Sequence, residues 1–334
     1  MVIKMSILTI TLLTKDHPDS VRKITEAECA IVPECDYLIL DSSNETNARA
    51  ISEMCRESKW EYRHLEETMT SDEKWLYTIA HFEGDYLWII GDGVIPDMQA
   101  IWPWLSIRLK ATPECIHLVN EDARNCRQFY TKGQYPGEFD TKDIVRAASD
   151  FFWTATFMGS TIIHRQLIDN MLKCKRPYLN TGFVIPCLLF EALEKERYEL
   201  TVSMRHYYYP NPQKRLSIWM EKGETFEIWS DRFSHAVRLL PGCFDPVKEE
   251  IIRTTCIRNG YYRLRWMLQW RAMDILNGKT LSRYSNSLVY MSNLPYGVLK
   301  CLSIIPRWLC RICYYPFELR IKLKYSRTTK RKGW

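Results

Sequence analysis

No stretch of this 334-residue chain approaches the ~18–20 consecutive apolar residues of a membrane-crossing helix, which argues against such a span. A secretory leader is not expected either. Only Lys4 precedes a short apolar segment that reads as a first strand and lacks a small-residue cleavage site. After that segment, Thr14-Lys15-Asp16-His17-Pro18-Asp19 contains no G-x-G-x-x-G, which argues against a dinucleotide dehydrogenase. Nor is it the glycine-rich basic loop that a nucleotidyltransferase would want. Cys310 and Cys313 form the one C-x-x-C pair, no histidine lies nearby, and a zinc site is not expected there. The twelve cysteines are scattered, as in a cytoplasmic protein with reduced, mostly buried thiols.

The chain has ample apolar material, with 46% hydrophobic and 13% aromatic residues, enough for one large domain or a domain with an appendage. Its net charge of +6 is unevenly placed. From Tyr296 to Trp334 there are ten Lys or Arg and one acid, Glu318, a local +9 that leaves −3 for the remainder. A nucleic-acid partner is therefore not expected, although Arg263, Arg265 and Arg271 alternate with Trp266 and Trp270. That interleaving fits a helix lying against a membrane surface or the main domain. Leu299 to Phe317 mixes apolar and aromatic residues with Lys300, Arg307 and Arg311, and a polybasic end follows. This composition suits adsorption to anionic lipid. The competing reading is a helical hairpin packed on the domain with a mobile basic end.

The first hundred residues alternate in type. SILTITLL from Ser6, DYLIL from Asp36, a short run from Trp60 to His64, and Tyr86-Leu87-Trp88-Ile89-Ile90 read as strands. Helices are expected between them, capped by Asp19 or Ser20, by Ser43 or Asn44, and by Ser71 or Asp72. The third would bury Trp75, Ile79 and Phe82 on one face. This is the β-α-β alternation of a parallel sheet with right-handed crossovers. Asp16, Asp41 and Asp92 fall at strand ends, where open α/β sheets bind ligands. The bland alternative for Asp92 is a solvated turn between Gly91 and Gly93. Further on, a helix interrupted near Pro103, a strand at Cys115–Val119, a polar lid-like segment from Asn120 to Ser149, and a strand–turn–strand at FFWTATFMGSTII are expected.

LTITLLTKDHPDSVRK, DYLILDSSNETNARAISEM and FEGDYLWIIGDGVIPDM, in this order and spacing, resemble the inverting glycosyltransferases of family 2, which have the GT-A fold. The resemblance implies a mostly parallel α/β sheet flanked by helices over residues 1–240. A helical, basic, membrane-associating region would then occupy residues 241–334. It implies a nucleotide-diphospho-sugar donor, with Asp41 contacting the base, Thr14 in the first nucleotide-facing loop, and Asp92 in the diphosphate and metal motif. Mg2+ or Mn2+ is the implied cofactor. The chain departs from the pattern where Gly93 and Val94 replace the second acid, leaving Asp97, beyond Pro96, as a substitute. Lys74 is a candidate to neutralise diphosphate directly, against the ordinary reading of a solvated helix lysine. Ser217-Ile218-Trp219, the stretch from Leu239 to Asp245, and Lys248 resemble bacterial polysaccharide-assembling members.

Inversion needs a carboxylate base beside the acceptor hydroxyl. By the family's spacing, Glu191 on PCLLFEALEKE is the candidate, with Glu194, Asp150 and Asp140 as competitors. His206 is a candidate phosphate or acceptor contact, and Trp219 and Trp229 are candidate sugar platforms. A structural histidine and core tryptophans are the alternatives. The expected activity is transfer of a sugar, hexosyl or related, to a lipid-linked or oligosaccharide acceptor in cell-surface polysaccharide synthesis. The expected location is the cytoplasmic face of the cell membrane, held peripherally. The alternatives are a catalytically inactive scaffold of that fold and a nucleotidyltransferase.

Overall fold

Short apolar runs and amphipathic helices alternate from Leu8 onward, and they build a sheet from its centre outward. The structure, a computed structural model, describes residues 6–119, 137–174, 177–205, 207–211, 223–259, 262–313 and 315. Strands β1 (Leu8–Thr14), β2 (Cys35–Asp41), β3 (Glu61–His64) and β4 (Tyr86–Gly91) pair in parallel in the order β3-β2-β1-β4. Helices α1 (Pro18–Thr25), α2 (Glu45–Cys55) and α3 (Ser71–Ala80) link them. Every residue of β4 is buried, as expected for a central strand covered on both faces. The core around it includes Trp88, fully buried, whose indole N–H donates to the Gly159 carbonyl at 2.8 Å.

Beyond β4 lie a short strand β5 (Val94–Pro96), helix α4 (Met98–Lys110), β6 (Cys115–Leu118), β7 (Glu138–Thr141), α5 (Ile144–Ala155), β8 (Thr161–His164), α6 (Arg165–Lys173), α7 (Val184–Lys195), β9 (Leu200–Ser203) and β10 (Tyr208–Pro210). The eight-stranded sheet has the order β3-β2-β1-β4-β8-β6-β9-β7, while β5 and β10 form a separate antiparallel pair. Strand β8 runs antiparallel to β4 and β6, β6 and β9 are parallel, and β7 closes the edge antiparallel to β9. The α/β sheet expected from the sequence is therefore present as a mostly parallel sheet flanked by helices.

Some local expectations need correction. Phe151–Ala155 is not a strand but the end of α5, which Asp143 caps through the Arg146 N–H at 3.0 Å. The buried set Ile144, Ala147, Ala148, Phe151, Phe152 and Ala155 has helical spacing, and the aromatic run masks it. Strand β7 and the first half of α5 also occupy the later part of the expected lid segment, and its residues 120–136 lie outside the described residues. Pro103 does not interrupt α4. It removes one donor toward the Gln99 carbonyl, but both residues are exposed, so water can serve that carbonyl. Helix α1 starts at Pro18, with His17 rather than Asp19 or Ser20 in the capping position. Of the expected face, Ile79 and Phe82 are buried but Trp75 is only half-buried, and α3 also buries Asp72 and Lys74.

The described residues form two compact units, Met1–Arg215 with His235–Ile251, and Leu216–Ser234 with Ile252–Trp334. The sheet belongs to the first. In the second, helices Leu264–Ala272, Gly278–Ser292 and Tyr296–Ile304 surround buried Phe226, Tyr262, Trp270 and Tyr284. The Phe226 ring lies 5.6 Å from that of Tyr262, and the Tyr262 hydroxyl is 2.9 Å from that of Ser230. Trp229 is part of this core, 5.5 Å from the Phe233 ring, and is not an exposed sugar platform. The eleven described cysteines, including Cys310 and Cys313, are free thiols.

Trp88 is the sharpest test of the sheet core. Trp88→Ala removes a fully buried ring and orphans the Gly159 carbonyl, and should lower unfolding free energy by about 3–5 kcal/mol in urea titration. A decrease below about 1 kcal/mol would contradict a tightly packed centre at β4.

Candidate functional site

Sheet register assembles the site. Thr14, the last residue of β1, pairs with Asp41, the last residue of β2. Leu13 pairs with Gly91, so Asp92 follows at the level of Thr14. The carboxyl ends of three adjacent parallel strands thus carry Thr14, Asp41 and Asp92 on one rim, all with buried side chains. The Thr14 hydroxyl donates to Asp92 Oδ2 at 3.3 Å. Asp92 is therefore not the solvated turn residue of the bland reading.

Asp41 is held from two sides. Its Oδ1 accepts the Ser43 N–H at 2.9 Å and the Ser43 hydroxyl, and its Oδ2 accepts the Tyr62 hydroxyl of β3 at 3.0 Å. Asp16 is spent locally. Its Oδ1 accepts the Asn44 N–H, the Asn44 amide and the Asn47 amide at 3.1, 2.9 and 3.1 Å, tying the turn after β1 to the start of α2. The left-handed backbone of Asp16, φ 58°, lets the chain make that turn. Asn211 was not singled out from the sequence. It braces the Asp92 turn by donating its amide to the Asp92 and Ser20 carbonyls at 3.0 and 2.8 Å, and its N–H to the Gly93 carbonyl at 3.0 Å. No local signal marks it, because its partners lie 119 and 191 residues away.

Lys74 is the cation of this rim, not a solvated helix lysine. Its side chain is buried, and Nζ donates to the Thr14 carbonyl at 3.0 Å. Burial pulls its pKa down to about 8, with Lys15 adding to the drop, while Asp41, Asp92 and Asp16 oppose it. A capping box sets the first turn of α3: Thr70 accepts from the Glu73 N–H, and Glu73 accepts from the Thr70 N–H.

Two residues earlier, Asp72 points to a different element. Its Oδ2 accepts the Gly182 N–H at 2.9 Å, just ahead of α7, while Oδ1 is buried without a hydrogen bond. Burial raises its pKa, and backbone N–H groups from Gly182, Val184, Thr181 and Asn180 partly offset that. Sequence inspection treats Asp72 only as a helix opener. Its burial depends on α3 packing against α7, which local periodicity does not encode.

Glu191 accepts the Tyr178 hydroxyl at 2.6 Å and makes no hydrogen bond to the Thr14–Asp92 group. Helix α7 leads into β9, which runs in the same direction as β1 and β4, so α7 descends from the ligand rim toward the opposite edge. Glu191 sits about 10 Å down that helix from Val184. Asp140 is on β7, the far edge of the sheet, where it bonds Arg108 and Thr201, each at 2.6 Å. Asp150 lies on α5, 3.9 Å from Arg146. Glu194 lies one turn beyond Glu191. His206, Ser217-Ile218-Trp219 and the end of the chain after Tyr315 fall outside the described residues.

A divalent cation does not find a ready donor set here. Asp97, buried, caps α4 through the Ala100 N–H at 3.3 Å. Asp41 is committed to Ser43 and Tyr62. Among the described residues no cluster of three His, Cys, Asp or Glu side chains is placed to hold a metal. An open cavity of about 1000 Å3 lies over the sheet face between Thr11, Leu38, Arg63, Tyr77 and His81. None of Thr14, Asp41, Lys74 or Asp92 lines it, so it is a groove separate from the rim.

Between about pH 8 and pH 10.5 the unfolded chain holds the Lys74 proton while the folded chain has released it, so stability from this group rises with pH across that window. Below about pH 8 both states are protonated, and the cost of burying the ammonium, about 3 kcal/mol, is fully present. Relative to wild type, Lys74→Met should therefore be best tolerated at neutral pH and become less favourable as pH rises toward about 10, read as the difference in urea midpoints. A difference independent of pH would mean that Lys74 is not buried as a cation.

No family model matches the sequence, and no curated protein is similar to it. Solved structures are similar in fold. S. aureus TarS 1–349 in complex with UDP-GlcNAc superposes with a TM-score of 0.50 at 12% identity, covering 85% of this chain and 83% of that one. The mannosyltransferase PcManGT from Pyrobaculum calidifontis, in complex with GDP-Man and Mn2+, gives 0.46 at 14% identity, over 89% and 79%. Glucosyl-3-phosphoglycerate synthase from Mycobacterium tuberculosis, with Mn2+, UDP and glucosyl-3-phosphoglycerate, gives 0.46 at 12%, over 70% and 80%. The sheet order, the helices that flank it and the superposition on TarS give this chain the GT-A fold.

Proposed function

We propose that this protein is a glycosyltransferase that moves a hexosyl or related sugar from a nucleoside-diphosphate donor to a hydroxyl acceptor, with inversion. The observation that carries this reading is the group Thr14, Asp41, Lys74 and Asp92, gathered on the carboxyl rim of a GT-A sheet. Asp41, held by Ser43 and Tyr62, would accept from the N–H of a base through a remaining lone pair. Asp92, braced by Thr14 and Asn211, would accept from the ribose hydroxyls. Lys74 supplies a buried positive charge beside the diphosphate, the usual electrostatic help to a departing phosphoryl group.

In the chemical step the acceptor oxygen bonds to the anomeric carbon as the bond to the diphosphate oxygen breaks. The acceptor proton passes to a carboxylate, and the nucleoside diphosphate leaves with the electron pair. Family spacing nominates Glu191 as that base. Geometry favours Asp72, at the rim end of α7, with a raised pKa and a buried oxygen that makes no hydrogen bond. A lipid-linked glycan of cell-surface polysaccharide synthesis is the proposed acceptor, because the basic C-terminal composition would keep the enzyme at the inner face of a membrane. The second reading is an inactive scaffold, favoured by the single acid in the turn after β4.

A donor panel with membrane extract, followed by nucleoside diphosphate release, tests the activity. Asp92→Ala should abolish transfer, and an unchanged rate would remove Asp92 from the site. Asp72→Asn should lower turnover about 10²–10⁴-fold while nucleotide binding persists, whereas Glu191→Gln should retain most of it. The reverse pattern would restore Glu191 as the base.

Nucleotide affinity separates the two sources of positive charge. Lys74→Met should weaken nucleoside diphosphate binding by about tenfold or more in calorimetry, because it deletes a charge-assisted hydrogen bond to phosphate. Adding Mn2+ to wild type should change it far less. A strict Mn2+ requirement with a silent Lys74→Met would assign the charge to the metal instead.

A further inference from the structure

Within the second unit, the chain after Ile304 turns at Pro306 and forms a short helix over residues 307–313. That helix is anchored along one side. Arg271 donates to the Ile305 carbonyl at 2.7 Å, Arg307 pairs with Asp274 at 2.7 Å, and Cys310 is buried beneath it. Its other side is apolar and uncovered. Trp308, Ile312 and Tyr315 recur at helical spacing on one face, and they are 62%, 60% and 61% exposed. Ile304, at the end of the preceding helix, is 68% exposed, and Leu309 follows Trp308 with its side chain partly exposed. Soluble surfaces rarely leave so many large apolar side chains contiguous without a partner.

The chemistry of the partner is legible from what surrounds the patch. Lys300 and Arg311 lie beside it, Arg307 is ion-paired with Asp274, and no Asp or Glu occurs between Tyr296 and Phe317. Seven of the nineteen residues after Tyr315 are Lys or Arg, against one acid. Aromatic and aliphatic side chains rimmed by cations match the interfacial zone of an anionic bilayer, where Trp and Tyr sit at headgroup level and cations meet phosphate. No described helix is long and apolar enough to cross a membrane, so the attachment would be an adsorbed one. We propose that the face formed by Ile304, Trp308, Ile312 and Tyr315 inserts into the headgroup region of anionic membranes, with the basic residues holding the lipid phosphates. Two signals of this kind, apolar and electrostatic, give firm but reversible attachment. The proposal does not depend on glycosyl transfer, because the face lies outside the rim group and its test consumes no donor.

Flotation of the full chain with vesicles decides it. Wild type should float with vesicles containing about one third phosphatidylglycerol at about 0.1 M salt, and at least about tenfold less with pure phosphatidylcholine. The double variant Trp308→Ser and Ile312→Ser should reduce flotation by about tenfold or more, since burial of each side chain in the bilayer is worth that much. Both sites are exposed, so its thermal midpoint should match wild type. Failure of wild type to float on anionic vesicles would overturn the proposal. So would a double variant that floats as well as wild type, which would assign attachment to the basic end alone. A wild-type dimer in light scattering that the double variant converts to monomer, without flotation, would instead make this face an interface between copies.

Discussion

The constraint on which this rim depends is the burial of one ammonium group. Lys74 enters from the first turn of α3 and donates to the carbonyl of Thr14, the terminal residue of the central strand β1. That carbonyl also accepts the Ser42 N–H at 3.3 Å, so the ends of β1, β2 and α3 converge on one oxygen. Desolvating a cation is costly, and the carboxylates of Asp41, Asp92 and Asp16 offset only part of that cost here, so the pKa stays lowered. Two of them carry a second duty: Asp16 ties down α2, and Asp41 ties together β2 and β3. The charges that a ligand would meet are thereby held by the same hydrogen bonds that fix the strand ends. Rigid placement of this kind is what electrostatic help to a leaving group needs, because no reorganisation is left for the reaction itself.

The first turn of α3 acts in two directions. Residues two apart on a helix do not share a face, so Lys74 and Asp72 diverge. One reaches β1, and the other receives the N–H groups that open α7. The rotation of that turn is set by the capping box of Thr70 and Glu73, two exposed residues with no ligand role of their own. A sequence signal normally read as punctuation thus aims two buried charges.

The parallel half of the sheet was legible because it is built from local patterns. The apolar run of β4, the strand-ending Thr14 and Asp41, and the Asn44 cap of α2 are all visible within short windows. Strand ends also give position: once β1, β2 and β4 are parallel neighbours, Thr14, Asp41 and Asp92 must share an edge. What was not legible depends on tertiary burial. Helix α3 offers Trp75, Ile79 and Phe82 as an apolar face, yet it buries Asp72 and Lys74, which only the neighbouring β1 and α7 make tolerable. The aromatic run Phe151-Phe152-Trp153 reads as strand by composition, whereas the cap at Asp143 and the spacing from Ile144 make it helix. Asn211 is recognisable only by partners more than a hundred residues away.

A resident ammonium and an exchangeable metal solve the same electrostatic problem differently. A metal ion brings two charges and several coordination positions, and it can enter and leave with the diphosphate. Lys74 brings one charge at one point, present below about pH 8 and tethered to the strand whose end defines the site. In the proposed reading a single point charge cannot bridge two phosphate oxygens, so backbone groups and hydroxyls around it would share the remaining charge. Thr14, Ser43 and the turn after β4 are the groups at hand on this rim. Glycine at 93 leaves Asp92 as the acid of the turn after β4 whose charge acts on Lys74.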